Sequence, residues 1–242
     1  MFENRGVYRS QHQKKGLVSF DITVKETNLN IQAVTDLTDA AIRAALKYRQ
    51  YIETHIRQYP EFATSLSPLP PPSFVPGIIM DMIEAAQLAD VGPMAAVAGA
   101  MAEYVGRDLL EMSPEILVEN GGDIFIRSAS DTVFSIYATN SPLSMTTGIK
   151  VEPQEAPFAM CTSSGTLGHS QSFGTADAVS IMAPSCCLAD AAATALCNMV
   201  KNEDDIEKTL HLGQQIQGIQ GIVIIKNEKI GLWGKMQLVK LT

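Results

Sequence analysis

Residues 116–126 read Ile116-Leu117-Val118-Glu119-Asn120-Gly121-Gly122-Asp123-Ile124-Phe125-Ile126. Two runs of β-branched and aromatic residues flank Asn-Gly-Gly, a combination that suits the left-handed backbone of a short hairpin turn. A hairpin makes its strands antiparallel, and the rest of the chain can be sorted around that unit. Upstream, Val18, Phe20, Ile22 and Val24 alternate with Ser19, Asp21, Thr23 and Lys25, the period-two pattern of a half-buried strand. Leu29, Ile31 and Ala33 resume it after a turn at Glu26-Thr27-Asn28. Downstream, strand patterns recur at 133–138, 158–161 and 178–182. A terminal hairpin pairs 222–225 with 230–241 around Lys226-Asn227-Glu228-Lys229.

Helical periodicity fills the gaps. Thr38-Asp39 is an N-cap pair, after which Ile42, Ala45, Leu46, Ile52, Ile56 and Tyr59 share one stripe until Pro60. Residues 68–76, PLPPPSFVP, form a stiff extended connection. Helices follow at 78–89, from Pro93 after the Val91-Gly92 turn, at 190–200 and at 204–212. The helix beginning near Pro93 carries Ala95, Ala96, Ala98, Gly99, Ala100 and Ala102, so little bulk that its neighbours must approach closely. Strands and helices come in blocks without strict βαβ alternation. The expected fold is therefore α+β, with a largely antiparallel sheet packed with helices. Neither side of the proline-rich stretch supplies a closed core alone, so residues 1–242 are expected to form a single domain.

Composition excludes several function classes. The 242 residues contain 18 Lys+Arg against 26 Asp+Glu, a net charge of −8, with 46% apolar and 18% charged residues. That apolar fraction supports a large core, and the acidic balance disfavours nucleic acid and anionic membrane surfaces as partners. Four cysteines, two of them the adjacent Cys186-Cys187, are too few for a disulfide scaffold and suit a reducing compartment. The polar start MFENRGVYRSQHQKK has no secretion pattern, so a cytoplasmic location is expected. The apolar run 93–102 is about half the ~20 residues a membrane span requires.

Three segments can carry chemistry. The two glycines of Asn120-Gly121-Gly122-Asp123 let a backbone approach a flat ligand or a phosphate, although the same residues suit an ordinary hairpin. Residues 161–177 concentrate small hydroxyl residues and glycines, including Thr162-Ser163-Ser164-Gly165. Such a loop can cradle an anion through backbone N–H groups or can be a plain surface loop; it also carries His169 and Asp177. In Ala189-Asp190-Ala191-Ala192-Ala193-Thr194, Asp190 and Thr194 lie one helical turn apart, which suits a hard cation such as Mg2+; alternatively Asp190 caps its helix. Residues 151–200 contain no Lys or Arg, while Glu152, Glu155, Asp177 and Asp190 remain. A phosphate bound there must be neutralised by backbone N–H groups, by a metal ion, or by cations from elsewhere in the chain or from a second subunit.

These three motifs, in this order and rough spacing, resemble the ApbE-type flavin transferases, which have a Gly-Gly-Asp-like turn, a Thr-Ser-Gly loop and an Ala-Asp-x-x-x-Thr-Ala-Leu helix start. The resemblance covers about the C-terminal half. The whole chain, with 91–100, looks more like a separate branch of that superfamily. It implies a T-fold-like α+β architecture, FAD or FMN bound beside Mg2+, and transfer of FMN from FAD onto a threonine hydroxyl. By the same resemblance Asp190 and Thr194 are metal ligands, and Asn120, Gly121, Gly122, Asp123, Thr162, Ser163, Ser164 and Gly165 line the nucleotide site. The transferases carry His-x-x-Asp-Pro-x-Thr-Gly after the Thr-Ser-Gly loop; here His169-Ser170-Gln171-Ser172-Phe173-Gly174 is shorter, without the Asp or Pro. His169 takes the matching place, with Asp177 as substitute carboxylate. The expected ligand is a small nucleotide, and a homo-oligomer is compatible with it. Two alternatives stay open: a non-flavin small-molecule enzyme using His169 and Asp177 on the same fold, and a non-catalytic binding protein.

Overall fold

A computed structural model describes residues 14–165 and 174–241. β1 (Val18–Val24) and β2 (Thr27–Ala33) pair from Val18 opposite Ala33 to Val24 opposite Thr27. The turn is therefore Lys25-Glu26, ahead of the expected one, with Lys25 at φ 52°. α1 spans Thr38–Gln58, but Thr38 is already helical. Asp36 Oδ1 accepts from its N–H at 2.8 Å and its hydroxyl at 2.6 Å. The buried face of α1 is Ala41, Ala44, Ala45, Tyr48, Ile52 and His55, while Leu46 and Tyr59 of the expected stripe are exposed.

After the short α2 (Glu61–Thr64), the proline-rich connection leads to α3 (Gly77–Ala89). A 3-10 turn, Pro93–Ala96, then opens α4 (Val97–Leu110). The central hairpin forms as its sequence predicts. β3 (Ile116–Asn120) and β4 (Asp123–Arg127) are joined by Gly121 and Gly122, both at positive φ, 70° and 114°. A side chain at either position would strain that left-handed backbone. β5 (Thr132–Ser135) is shorter than the expected 133–138, and β6 (Thr147–Val151) has no counterpart in the sequence reading. β7 (Phe158–Ser163) and β8 (Ala178–Ala183) precede α5 (Cys186–Met199) and α6 (Asp205–Gly213). The expected arm 230–241 is two strands. β9 (Gly221–Lys226) pairs with β10 (Lys229–Gly234), and β11 (Gln237–Lys240) leaves to pair with β6.

The large sheet runs β1-β2-β3-β4-β7-β8-β9-β10, with every neighbouring pair antiparallel, and β11-β6-β5 form a small second sheet. The fold is thus α+β and dominated by an antiparallel sheet, as expected. Strand alternation divides the core in two. Val118, Phe125, Ala159, Cys161, Val179 and Ile181 face the helices. Leu117, Ile124, Met160, Met182 and Val223 face the other way, onto Phe134, Ile149 and Val151 of the small sheet. The helix-side core draws on both flanks of the proline-rich stretch, from Ile22 and Phe62 to Leu196 and Ile224.

His55 gives this core a pH dependence. Its ring packs edge-on against Phe62, with centroids 4.7 Å apart, and burial lowers its proton affinity against a smaller opposing pull from Glu61. Because the unfolded chain holds this proton more tightly, the His55 contribution to stability is complete above pH ~6.5 and is lost as pH falls below it. Denaturant titrations between pH 5 and 7.5 should show stability falling toward the acid side, with part of that slope gone in His55→Phe. An unchanged slope in the variant would refute the assignment.

Candidate functional site

The β3–β4 hairpin tip, the end of β7 and the facing ends of α4 and α5 meet on the helix side of the large sheet. Asp123 stands directly across from Cys161 in the β4–β7 pair, and Asn120 precedes it across the turn. The tip is fixed from three directions. Glu119 Oε1 accepts the Gly122 N–H at 3.0 Å, Gly122 O accepts the Thr162 N–H at 3.2 Å, and Asn120 Nδ2 donates to Ala98 O at 3.0 Å. The first two motifs are therefore joined through backbone, and the tip is joined to the start of α4.

Asp190 does not cap its own helix. Ser185 is the N-cap of α5, so Asp190 lies in the second turn, and its carboxylate crosses to α4. There Oδ2 accepts the Gly99 N–H at 2.8 Å, and the Ala98 N–H also bonds the carboxylate. These are the second and third residues of α4, whose first amides have no partner within the helix. The reverse contact comes from Glu103, a buried residue on α4. Its Oε2 accepts the N–H of Cys186 at 2.7 Å and of Cys187 at 3.3 Å, together with the Ser185 hydroxyl at 3.2 Å. Its other oxygen holds the guanidinium of Arg107. Each helix thus lends a carboxylate to the other's N-terminus.

Burial dominates the electrostatics. It pushes the Asp190 carboxyl up to about 7 in spite of the two α4 amides, which favour the charged form. Asp123 is raised well above the usual carboxylate range, first by burial and then by the neighbouring charge of Asp190; a hydrogen bond from the Cys161 thiol opposes this. The Cys161 and Cys186 sulfurs lie 3.6 Å apart, and burial pushes Cys186 up to about 11, so both are protonated thiols near neutral pH.

The remaining sequence candidates are distributed as follows. Thr194 follows Asp190 by one turn of α5 and is partly buried. Thr162 shares a 2.8 Å hydroxyl hydrogen bond with Ser180, a residue that faces away from the helices, so only its backbone meets the hairpin tip. Ser163 ends β7; Ser164 and Gly165 follow, and the Gly165 N–H donates to Ala176 O at 2.9 Å. Asp177 is buried with both carboxylate oxygens engaged. Oδ1 accepts from the Thr139 hydroxyl at 3.2 Å and Oδ2 from the Asn227 N–H at 2.6 Å, which anchors two residues at positive φ. His169 lies outside the described residues.

Sequence reasoning missed Glu103 and the amides at 98–99. An acid inside an otherwise Ala- and Gly-rich helix was the available signal for Glu103. Among the described residues, no three His, Cys, Asp or Glu side chains form a group able to hold a metal, and no helix is long and apolar enough to cross a membrane. Asp190 and Thr194 nevertheless offer hard oxygen donors, and a carboxylate bonded to amides keeps further lone pairs. That suits Mg2+, which takes few protein ligands and completes its shell with water and substrate phosphate.

The chain has relatives of known family and fold. Residues 9–232 match the family described as AbpE bacteria. A UPF0280 protein of Methanococcus aeolicus is 38% identical over 226 residues, covering 90% of this chain and 91% of the relative. One from Methanocaldococcus jannaschii is 39% identical over 227 residues, covering 90% and 92%. Among solved structures, the apo flavinyl transferase ApbE of Pseudomonas stutzeri superposes with a TM-score of 0.54 at 14% identity, covering 90% of this chain and 94% of that one. The ApbE protein of Thermotoga maritima gives 0.52 at 13% identity, covering 89% and 96%. At those identities the solved structures establish the fold.

Proposed function

The chain belongs to the AbpE bacteria family and has the ApbE fold, and from that premise we propose that it binds a flavin nucleotide, FAD or FMN, together with Mg2+ and acts in phosphoryl-type transfer of FMN. The observation that carries this reading is the convergence of the Asn120–Asp123 tip with the Asp190 turn of α5. Asp190 and Thr194 would hold the metal. When bound, Mg2+ supplies the positive charge that a diphosphate needs and that residues 151–200, without Lys or Arg, do not.

The chain's own residues supply positioning. Gly121 and Gly122 give a tip whose backbone a ligand can approach closely. Asn120 holds that tip against Ala98, keeping it in register with the Asp190 turn. Ser163, Ser164 and Gly165, which follow the Thr162 amide bonded to the tip, are assigned to line the nucleotide, with the Gly165 N–H already given to Ala176 O. In the transfer the acceptor hydroxyl oxygen bonds to the FMN phosphorus, the diphosphate P–O bond breaks and AMP leaves; His169 is the group assigned to the acceptor proton. A second reading, acid–base chemistry on another small substrate through His169 and Asp177, assigns that chemistry to a buried carboxylate already anchoring the Thr139 hydroxyl and the Asn227 amide. No observation favours it.

Titrating purified protein with FAD, with and without Mg2+, and following flavin fluorescence and binding heat tests the proposal. Saturable FAD binding that strengthens with Mg2+ is expected. No binding at high concentration, with or without metal, would overturn it.

A further inference from the structure

The N-terminal turns of α4 and α5 meet at Gly99, which packs against the Cys186 carbonyl and gives its N–H to Asp190, the residue assigned to the cation. An uncompensated helix N-terminus carries roughly half a positive charge and favours anions, so two of them oppose a divalent cation. Asp190 meets the α4 amides directly. The α5 terminus is met from behind by Glu103, only 1% exposed, whose single oxygen takes the amides of Cys186 and Cys187 and the Ser185 hydroxyl. Ser185 Oγ itself reaches the Leu188 N–H only at 3.4 Å, so Glu103 is the stronger cap of this helix. A neutral acceptor would satisfy these amides as well, and a buried carboxylate is costly to desolvate. What the charged group adds is a negative field at the helix end, about one turn before Asp190.

We infer that Glu103 is a positioning residue for the metal-nucleotide site: it fixes the first turn of α5, and so Asp190 and Thr194, and its charge cancels the α5 terminus that would otherwise repel the cation. The inference rests on the metal reading above. Arg107, half exposed and bonded to the other Glu103 oxygen, shields that charge and sets its strength. Substitutions of the two residues should therefore act in opposite directions on the cation. A purely structural role would make both weaken binding.

The test is calorimetric titration of Mg2+ into the full-length protein at saturating FAD, at fixed pH and low salt, for wild type, Glu103→Gln and Arg107→Gln. Glu103→Gln keeps the shape and one acceptor oxygen. It should weaken Mg2+ by about tenfold, the effect of about 1.4 kcal/mol lost at a buried helix end. Without metal it should bind inorganic pyrophosphate at least as tightly as wild type. Arg107→Gln should tighten Mg2+ by about twofold, as suits an exposed partner. Equal Mg2+ affinity in wild type and Glu103→Gln, or weakening in both variants, would overturn the inference while leaving the metal reading intact. If Glu103→Gln does not fold, the sign of the Arg107→Gln effect decides alone. Absence of Mg2+ binding by wild type would instead remove the metal reading and this inference with it.

Discussion

Gly99→Ala is expected to lower the melting temperature by about 4–8 °C, although alanine normally stabilises a helix. Glycine inside a helix costs about 1 kcal/mol relative to alanine, so on propensity alone the substitution should help. Packing reverses the sign. A Cβ at Gly99 would lie 2.3 Å from the Cys186 carbonyl oxygen and 2.9 Å from Asp190 Cβ. The first contact is with backbone and cannot be relieved by a rotamer change. Forcing α4 and α5 apart costs about 3 kcal/mol at the upper end of ordinary overpacking, which leaves a net loss of about 2 kcal/mol. For a chain of this size each kcal/mol moves the midpoint by about 2–4 °C. Thermal unfolding followed by far-ultraviolet circular dichroism checks it, and a midpoint equal to or above wild type would show that the helices can separate freely.

Asp190→Asn should abolish Mg2+-dependent stabilisation while leaving most of the fold in place. At a metal concentration a hundred times its dissociation constant, a site present only in the folded state adds about 2.7 kcal/mol, or about 5–11 °C at this chain length. The asparagine carbonyl can still accept the Gly99 N–H, so the α4 cap survives in reduced form. Its amide nitrogen offers no lone pair to a hard cation. Comparing melting curves of wild type and variant in FAD, with Mg2+ or with chelator, separates the two roles of this side chain. An equal Mg2+-dependent shift in both proteins would mean that Asp190 only caps α4.

The α+β class was legible because its signals are local. Asn120-Gly121-Gly122 signals a turn between two strands, and alternation along 18–24 puts one strand face on the core. β6 escaped notice because Thr147-Gly148-Ile149-Lys150-Val151 is short, contains a glycine and follows a Ser- and Thr-rich stretch. The break between β10 and β11 was hidden for a different reason. Gly234, at φ 92°, turns the chain, and the Lys235 N–H bonds Gln220 O, a partner no local pattern reveals.

The candidate site was legible in part. The motifs marked the hairpin tip and the Asp190 turn, and the alanine-rich run announced a closely packed helix. How these segments engage was not visible. Capping of α4 by Asp190 depends on Ser185 starting α5 earlier than the motif suggests, and on the α4–α5 crossing at Gly99. Thr162 stands in a hydroxyl-rich loop, yet strand parity turns its hydroxyl toward Ser180 and leaves the backbone amide at the tip.

The exchange of carboxylates between α4 and α5 also bears on the order of folding. Glu103 and Cys186 are 83 residues apart in the chain, and Gly99 and Asp190 are 91 apart. Neither helix end is satisfied until loops of that length have closed, and closure entropy is spent before the contacts repay it. The local hairpins, β1–β2 and β3–β4, can form without them. Loss of either carboxylate should therefore leave the refolding rate nearly untouched and act mainly by accelerating unfolding. The pair works as a late clasp, and the lifetime of the native state depends on it more than the speed of reaching that state.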